Sequence, residues 1–445
     1  MSDRTGSLPF YLMLGAITLV AAVLRLLWLD QSSCAFDQAQ IALRALGMAR
    51  AGLFAFMAPN SSVGTPHLPL SIWFFALLYR FTIDPLAVTA VVAIVNAVSV
   101  AGLGLVGRRT VGPAGGLVAA ALYGFAPWSI LFSRSIWQPD LMAPLAVAWA
   151  YAAWRAFDAK QSADGRRSRP WVGLCLLGAG LAPQVHYAGV ALWPATAWLA
   201  IRGRWWAREN WPGVAAGGVL ATLAALPFVW AIWPERAGQL AALRAAGGGG
   251  WRPSGDAALH LLQVGSGLEF PIVAWGDRAA LPGAWVAVQT GASWVLASAL
   301  LAGLVIITWE SARRASDGAR SQMGVLLLLW VAGPLLVFTV HSTPVYHHYL
   351  LTSAPAMALT LAWLVDRLLR AGGRARMLWR GVAAIVLLAA SLQGALWVAG
   401  TARAASRGEP ERHALATQRA LVQQLPAVGS VVVATDCDAH EVCDE

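Results

Sequence analysis

The sequence predicts an all-α polytopic membrane protein with about 11 transmembrane helices and further helices at the outer membrane surface. Three observations predict it. Of the 445 residues, 58% are hydrophobic and 12% charged, with a mean hydropathy of +0.60; soluble domains carry roughly 25% charged residues. Apolar runs long enough to cross a hydrocarbon core of about 30 Å recur along the chain. The basic residues behind the net charge of +10 sit in short clusters between those runs, not in one stripe or tail. Such clusters orient a membrane protein and speak against nucleic acid as the partner. Soluble, disordered and disulfide-scaffold classes are excluded.

The runs are Pro9–Leu29, Leu86–Val106, Ala114–Phe132 and Leu141–Ala156, then Trp171–Ile201, which is too long for one helix. Its break at Pro183-Gln184-Val185-His186 divides it into two short crossings. Pro212–Trp233, Trp285–Thr308, Val325–Val340, Tyr349–Val365 and Gly381–Val398 complete the set. With the N-terminus inside, Arg108/Arg109, Arg155–Arg169, Arg202/Arg204/Arg208, Arg313/Arg314/Arg320 and Arg367–Arg380 all fall in the cytoplasm, and the C-terminus falls outside. Merging the two crossings at Pro183 would put the later basic loops outside, so the charge pattern supports the split. The first run carries Arg25 and exceeds a signal-peptide core, and Asp30-Gln31 fit a lipoprotein site at Cys34 poorly; it is read as an uncleaved helix.

The expected organisation is a transmembrane domain over residues 1–400, with outer loops 30–85 and 234–283, and an extracytoplasmic tail over 401–445. The first loop contains a helical segment, Asp37–Leu53, and the aromatic stretch Ser71–Phe81. That stretch is too short to span and reads as a re-entrant or interfacial helix.

Three polar features lie on the outer side: Asp37 beside Gln38, Arg134 with Asp140, and the histidines His67, His186, His341, His347 and His348. Each has a plain reading. Asp37 suits a helix N-cap, Pro139-Asp140 suits the start of a crossing, Arg134 can snorkel to headgroups, and a lone histidine at a membrane edge is interfacial. Their gathering on one side favours a functional cavity. A carboxylate can take a proton from an acceptor hydroxyl or amine, while Arg and protonated His can hold a leaving phosphate. A lipid-linked substrate would reach such groups sideways from the bilayer. No phosphate loop, zinc spacing or nucleophile elbow is present.

At these residues the chain resembles the GT-C glycosyltransferases, in the branch of protein O-mannosyltransferases and lipid A aminoarabinose transferases. The motifs run in family order: Phe36-Asp37-Gln38-Ala39, His67-Leu68-Pro69-Leu70 before an aromatic segment, and Gly107-Arg108-Arg109. Ser133-Arg134 with Ile136-Trp137 and Pro139-Asp140, Gln184-Val185-His186-Tyr187, and His348-Tyr349-Leu350-Leu351 follow. The likeness covers roughly Pro9–Leu364 and implies a GT-C-like fold. It implies an inverting transferase of the cytoplasmic membrane that takes its sugar from a polyprenyl phosphate and passes it to a lipid, glycan or protein acceptor outside. By resemblance Asp37 is the catalytic base and Asp140 a second acidic residue. His67, Arg134, His348 and Tyr349 are phosphate contacts, and Gln38, Gln184, His186 and His347 line the cavity. No cofactor is implied. A divalent cation is not indicated, because many relatives have Asp-Glu where this chain has Asp37-Gln38. His67 could hold phosphate as a cation only when protonated, so activity is expected to fall above about pH 7 if it titrates near 6.5.

Two rivals come from other classes. One is a lipid or solute transporter, against which the break at Pro183 shows no counterpart in the second half. The other is a Wzy- or ligase-like polysaccharide enzyme, for which loop 234–283 is large enough but carries only His260 with Arg236, Arg244, Arg252 and Arg278. In the tail, Thr401–Leu425 reads as a charged amphipathic helix and Ser430–Thr435 as a strand, either docked on the membrane domain or opening an α/β domain cut short. Cys437 and Cys443 are expected to form a disulfide outside, with a metal site including Asp438 and His440 as the rival.

Overall fold

The computed structural model describes residues 7–61, 64–161, 168–246, 252–270, 282–313, 319–341, 344–406 and 415. The expected tail strand and the Cys437/Cys443 pair lie outside them. Among the described residues the regular elements are helices, apart from one two-stranded ribbon pairing β1 (Arg252–Pro253) with β2 (Val340–His341) and an isolated bridge between Asn60 and Pro66.

The helix α1 (Ser7–Leu26) leads to α2 (Phe36–Ala51) and the ten-residue α3 (Leu70–Tyr79), which packs along α2 and is too short to span. Then come α4 (Pro85–Thr110), α5 (Pro113–Phe125), α6 (Pro127–Leu131), α7 (Met142–Gln161), α8 (Arg169–Val185), α9 (Trp193–Gly203) and α10 (Trp211–Ile232). Two short helices, α11 (Arg236–Ala246) and α12 (Asp256–Ser266), precede the long α13 (Gly283–Arg313), α14 (Ala319–Phe338), α15 (Ala354–Leu369) and α16 (Arg376–Ser406). Local chemistry sets several starts. Before α4, Asp84 accepts the Leu86 N–H at 3.0 Å and Pro85 occupies the first turn, where a missing N–H costs nothing.

The count of crossings is corrected. Seven helices among the described residues are long and apolar enough to cross, not about 11. The other four expected crossings, from three runs, form shorter or interrupted segments, for identifiable reasons. Ala114–Phe132 is cut at Ala126, which Pro127 forces into an extended conformation. Leu141–Ala156 starts in a 3-10 turn and continues into the charged end of α7. Trp171–Ile201 becomes α8, a 3-10 segment (Tyr187–Leu192) and the 11-residue α9. The break at Pro183 does have a counterpart: a 3-10 segment at His347–Ser353 leads into α15, as Tyr187–Leu192 leads into α9, and the two 3-10 segments pack together.

Side chains satisfy the carbonyls these breaks strand. Pro183 cannot bond the carbonyl of Ala179, which accepts the Trp193 indole N–H at 3.0 Å instead. Pro334 strands the carbonyl of Trp330, which accepts the Ser353 hydroxyl at 2.7 Å. At the α5–α6 break, fully buried Arg25 donates to the carbonyls of Gly124 (2.9 Å) and Ala21 (3.1 Å) and to Ser129 Oγ (2.8 Å). The charge inside the first crossing is thus the clasp of a broken helix.

At the opposite end of the bundle, buried Glu310 and Asp366 collect arginines. Arg367 lies 3.1 Å from Glu310 and Arg370 lies 2.9 Å from Asp366, while Arg320 sits 3.7 Å from both carboxylates. Arg370 also donates to the carbonyl of Val111 at 3.2 Å, tying the end of α4 to α15.

Glycines let helices approach where no apolar driving force separates helix from lipid. A Cβ on Gly217 would strike the backbone of Gly173, and one on Gly213 would strike the carbonyl of Arg169, so α8 and α10 touch backbone to backbone. Gly217→Val is expected to lower the thermal midpoint in detergent by the cost of overpacking, about 1–3 kcal/mol. An unchanged midpoint would contradict this contact.

Candidate functional site

The break at Pro127 and the segments that follow the prolines inside α8 and α14 bring irregular backbone together at one end of the bundle, and the histidines sit on it. His186 caps α8 in an extended conformation, and its Nδ1 accepts the Ala188 N–H at 3.2 Å. Nε2 is therefore the ring nitrogen left to carry a proton. His67 is held by its backbone, which donates to Pro59 at 3.2 Å and accepts from Ala58 at 2.8 Å. Its ring stacks on Tyr187 at 4.6 Å between centroids and on His186 at 5.0 Å. Tyr187 in turn donates its hydroxyl to the carbonyl of Pro66 at 2.6 Å.

From there an aromatic path crosses the site. His186 meets His348 edge-on at 5.6 Å and Tyr349 at 5.5 Å. His348 lies 4.6 Å from Trp137, which reaches Trp128 through Phe132. Trp128 stacks on His347 at 4.5 Å, and His347 lies 4.2 Å from His260. The structure therefore brings His67, His186, His348 and Tyr349 together, with His347 at the far end of the same path. His341 stands apart, 3.7 Å from Asp256.

These rings are not cations. Burial pushes His67 down to about 4 and His186 well below its ordinary value, the latter helped by His67 and His348 beside it. A buried imidazole loses its charged form because low dielectric penalises it. The condition for the expected loss of activity above pH 7, a His67 titrating near 6.5, is therefore not met: burial favours the neutral ring. Its Nδ1 is buried without a partner.

Arg134 and Asp140 share the turn between α6 and α7, but each has work inside the protein. Arg134 Nη2 donates to the carbonyls of Leu27 and Trp28, both at 2.6 Å, and its guanidinium lies over Trp397 at 5.1 Å. It closes the end of α1, where Trp28 adopts a left-handed conformation (φ 48°). Burial, with Arg25 nearby, lowers it to about 10, and Asp30 opposes the shift. It stays charged. Asp140 is fully buried; one carboxylate oxygen accepts the Ser135 N–H and hydroxyl, both at 2.8 Å, and the other has no partner. Burial raises it to about 7, against the opposing hydrogen bonds from Ser135. Asn96 donates to its backbone carbonyl at 2.9 Å, anchoring the turn to α4.

Asp37 lies exposed in the first turn of α2. It is not the cap: Ala35 holds that position. The neighbouring Gln38 is buried, with its amide oxygen unpartnered. Gln184 points sideways, donating to Gly180 (3.0 Å) and across to Ala221 (2.7 Å), and so ties α8 to α10. Among the described residues no group of three His, Cys, Asp or Glu is placed to hold a metal. A cavity of mixed polarity lies between α5, α12, α15 and α16, lined in part by Tyr123, Ser129 and Gln393; it does not include the histidines.

Comparison with known proteins follows this geometry. Residues 64–233, less than half of the chain, match the family described as dolichyl-phosphate-mannose-protein mannosyltransferase. That stretch contains His67, Arg134, Asp140, Gln184 and His186, but not Asp37. No curated protein matches the sequence. Among solved structures, ArnT from Cupriavidus metallidurans bound to undecaprenyl phosphate superposes with a TM-score of 0.54 at 14% identity, over 92% of this chain and 79% of that one. Its apo state gives 0.54 and 14%, over 90% and 78%. The Archaeoglobus fulgidus oligosaccharyltransferase gives 0.52 and 12%, over 89% of this chain and 55% of that one. The chain has the GT-C glycosyltransferase fold. At these identities the likeness is one of fold, and within it the irregular, histidine-bearing end of this GT-C bundle is the candidate site.

Asp140 makes this site's pH dependence measurable. A carboxyl group raised to about 7 when folded binds its proton more tightly than in the unfolded chain, where it titrates near 3.9. Its contribution to stability is thus full below about pH 4 and is lost as pH rises toward 7. Asp140→Asn keeps an acceptor for Ser135 and removes the titration. The thermal midpoint of wild type relative to Asp140→Asn is expected to fall across that window, and a constant difference would contradict it.

Proposed function

We propose that the chain transfers a sugar from a polyprenyl phosphate to an acceptor at the outer face of the cytoplasmic membrane, with inversion at the anomeric carbon. The observation that supports it most is the ring cluster of His67, His186, His348 and Tyr349. It lies on broken backbone in a fold shared with a protein solved bound to undecaprenyl phosphate. Irregular backbone at membrane depth is tolerated where it is buried in protein or lines a cavity. The arginine-rich end faces the cytoplasm in this reading, as the charge bias of the loops requires, so the N-terminus lies inside.

The chemistry needs three roles. An acceptor hydroxyl or amine attacks the anomeric carbon, the bond from that carbon to the phosphate oxygen breaks, and polyprenyl phosphate leaves with the bonding electrons. Asp37 takes the proton of the attacking group. His67, His348 and Tyr349 donate hydrogen bonds to the phosphate oxygens. Neutral imidazoles suit that task, and a bound phosphate dianion raises their proton affinity as charge accumulates on the leaving group. Arg134 and Asp140 act behind them: they fix the turn that carries Trp137 against His348.

Purified protein incubated with undecaprenyl-phosphate sugars is expected to release undecaprenyl phosphate when an acceptor is present. Asp37→Asn is expected to lower turnover by about 10²–10⁴, the usual contribution of a general base, with an unchanged thermal midpoint. Near-normal turnover would return Asp37 to a helix-terminus role. Donor carried across vesicles without any release would favour a transporter.

A further inference from the structure

One polar cluster at the histidine end has no part in the scheme above. It is centred on Gln263 of α12, which is 2% exposed. Its amide oxygen faces two imidazole nitrogens, His260 Nδ1 and His347 Nε2, each at 2.7 Å. Its amide nitrogen donates to Glu269 Oε2 at 2.5 Å. The directions follow from the chemistry of the groups. An amide NH₂ cannot accept, and a carboxylate is the natural acceptor, so the oxygen must face the histidines and each must present its N–H. The amide is locked in one orientation, and Glu269 is pinned with it.

Three further features single this carboxylate out. Glu269 is exposed, whereas the amide that holds it is buried. Its backbone is left-handed at φ 57°, a conformation unusual for a residue with a side chain. The ring beside its network, Trp128, is fully buried, stacks on His347, and keeps an indole N–H without a partner. Phe270, next in the chain, packs edge-on against the same ring at 5.3 Å.

We propose that Glu269 binds the acceptor, receiving a hydrogen bond from a hydroxyl or ammonium group beside the one that attacks. This rests on the transferase reading above. The donor's phosphate is anionic, and a carboxylate held rigidly nearby repels it, so the partner of Glu269 is the other substrate. Rigidity adds to the case. A carboxylate fixed through Gln263 by two histidines loses little freedom on binding, which is what a recognition group gains from preorganisation. The network also couples the two substrates: His347, one residue from His348 of the proposed phosphate cluster, shares Gln263 with Glu269.

The test uses undecaprenyl-phosphate sugar as donor, with octyl glucoside as the hydroxyl probe and octyl glucosaminide as the ammonium probe. Glu269→Ala is expected to raise the acceptor KM at least about tenfold, the loss of one hydrogen bond to a charged group. Donor KM and acceptor-free hydrolysis should stay within about twofold of wild type. Glu269→Gln keeps an acceptor oxygen and the bond from Gln263. It should therefore restore KM for a hydroxyl partner and fail to restore it for an ammonium partner, which identifies the recognised group. An unchanged acceptor KM in Glu269→Ala, hydrolysis falling in parallel with it, or wild-type hydrolysis that neither probe diverts into product would each overturn the inference while leaving the transferase reading in place. No donor turnover by wild type under any condition would sink the transferase reading itself.

Discussion

A backbone carbonyl left without a partner inside a membrane costs several kcal/mol, since no water is there to take its place. The histidine end of this protein is built around that constraint. The helix α5 ends just before Pro127, while Pro183 and Pro334 lie inside α8 and α14 shortly before those helices end. Each stranded carbonyl is satisfied by a side chain from elsewhere: Arg25 on Gly124, Trp193 on Ala179, Ser353 on Trp330. Unwound backbone is what lets His186, His348 and Tyr349 point at one another, because a continuous helix would send them around its circumference. Fold and site are thus one arrangement. The clasps allow the breaks, and the breaks place the rings.

The same economy explains the charges. Arg25 and Arg134 are deeply buried, and their hydrogen bonds go to carbonyls of α1 and of the α5–α6 break. What remains at the ring cluster is neutral and aromatic. Such a surface has little attraction for phosphate at long range, but it offers hydrogen bonds in a low-dielectric setting, where they gain strength as charge develops. At the other end, Glu310 and Asp366 hold three arginines. That end serves as a charged lock between α13, α14 and α15, and its sign matches a cytoplasmic face.

Much of this was legible in the sequence, and the remainder was hidden for physical reasons. The long spans were visible because Leu8–Leu26, Pro85–Thr110 and Gly283–Arg313 are strongly apolar, with their few charges near the ends. The residues around His67, His186 and His348 could be grouped because they recur where apolar runs end. The break at Pro183 was visible from the length of its run, whereas the one at Pro127 was not, since apolar residues continue across it and only the proline marks it. Partners were harder still. The bonds from Arg134 to the carbonyls of Leu27 and Trp28 could not be read, because those carbonyls lie more than a hundred positions away and leave no trace in residue types. Gln263 and Glu269 passed unnoticed in a loop judged by its charges. The spacing of His260, Gln263 and Glu269 about the helix-ending Gly267 was the available signal.

The central claim is that the histidine end, and not the arginine end, receives the phosphate of a polyprenyl lipid. The direct measurement is photocrosslinking with undecaprenyl phosphate that carries a diazirine on its first isoprene unit, followed by mapping of the labelled peptides. The account predicts adducts on the peptides containing His67, His186–Tyr187 and His348–Tyr349, reduced by competing undecaprenyl phosphate. Adducts confined to the peptides around Arg108/Arg109 or Arg367/Arg370 would contradict it.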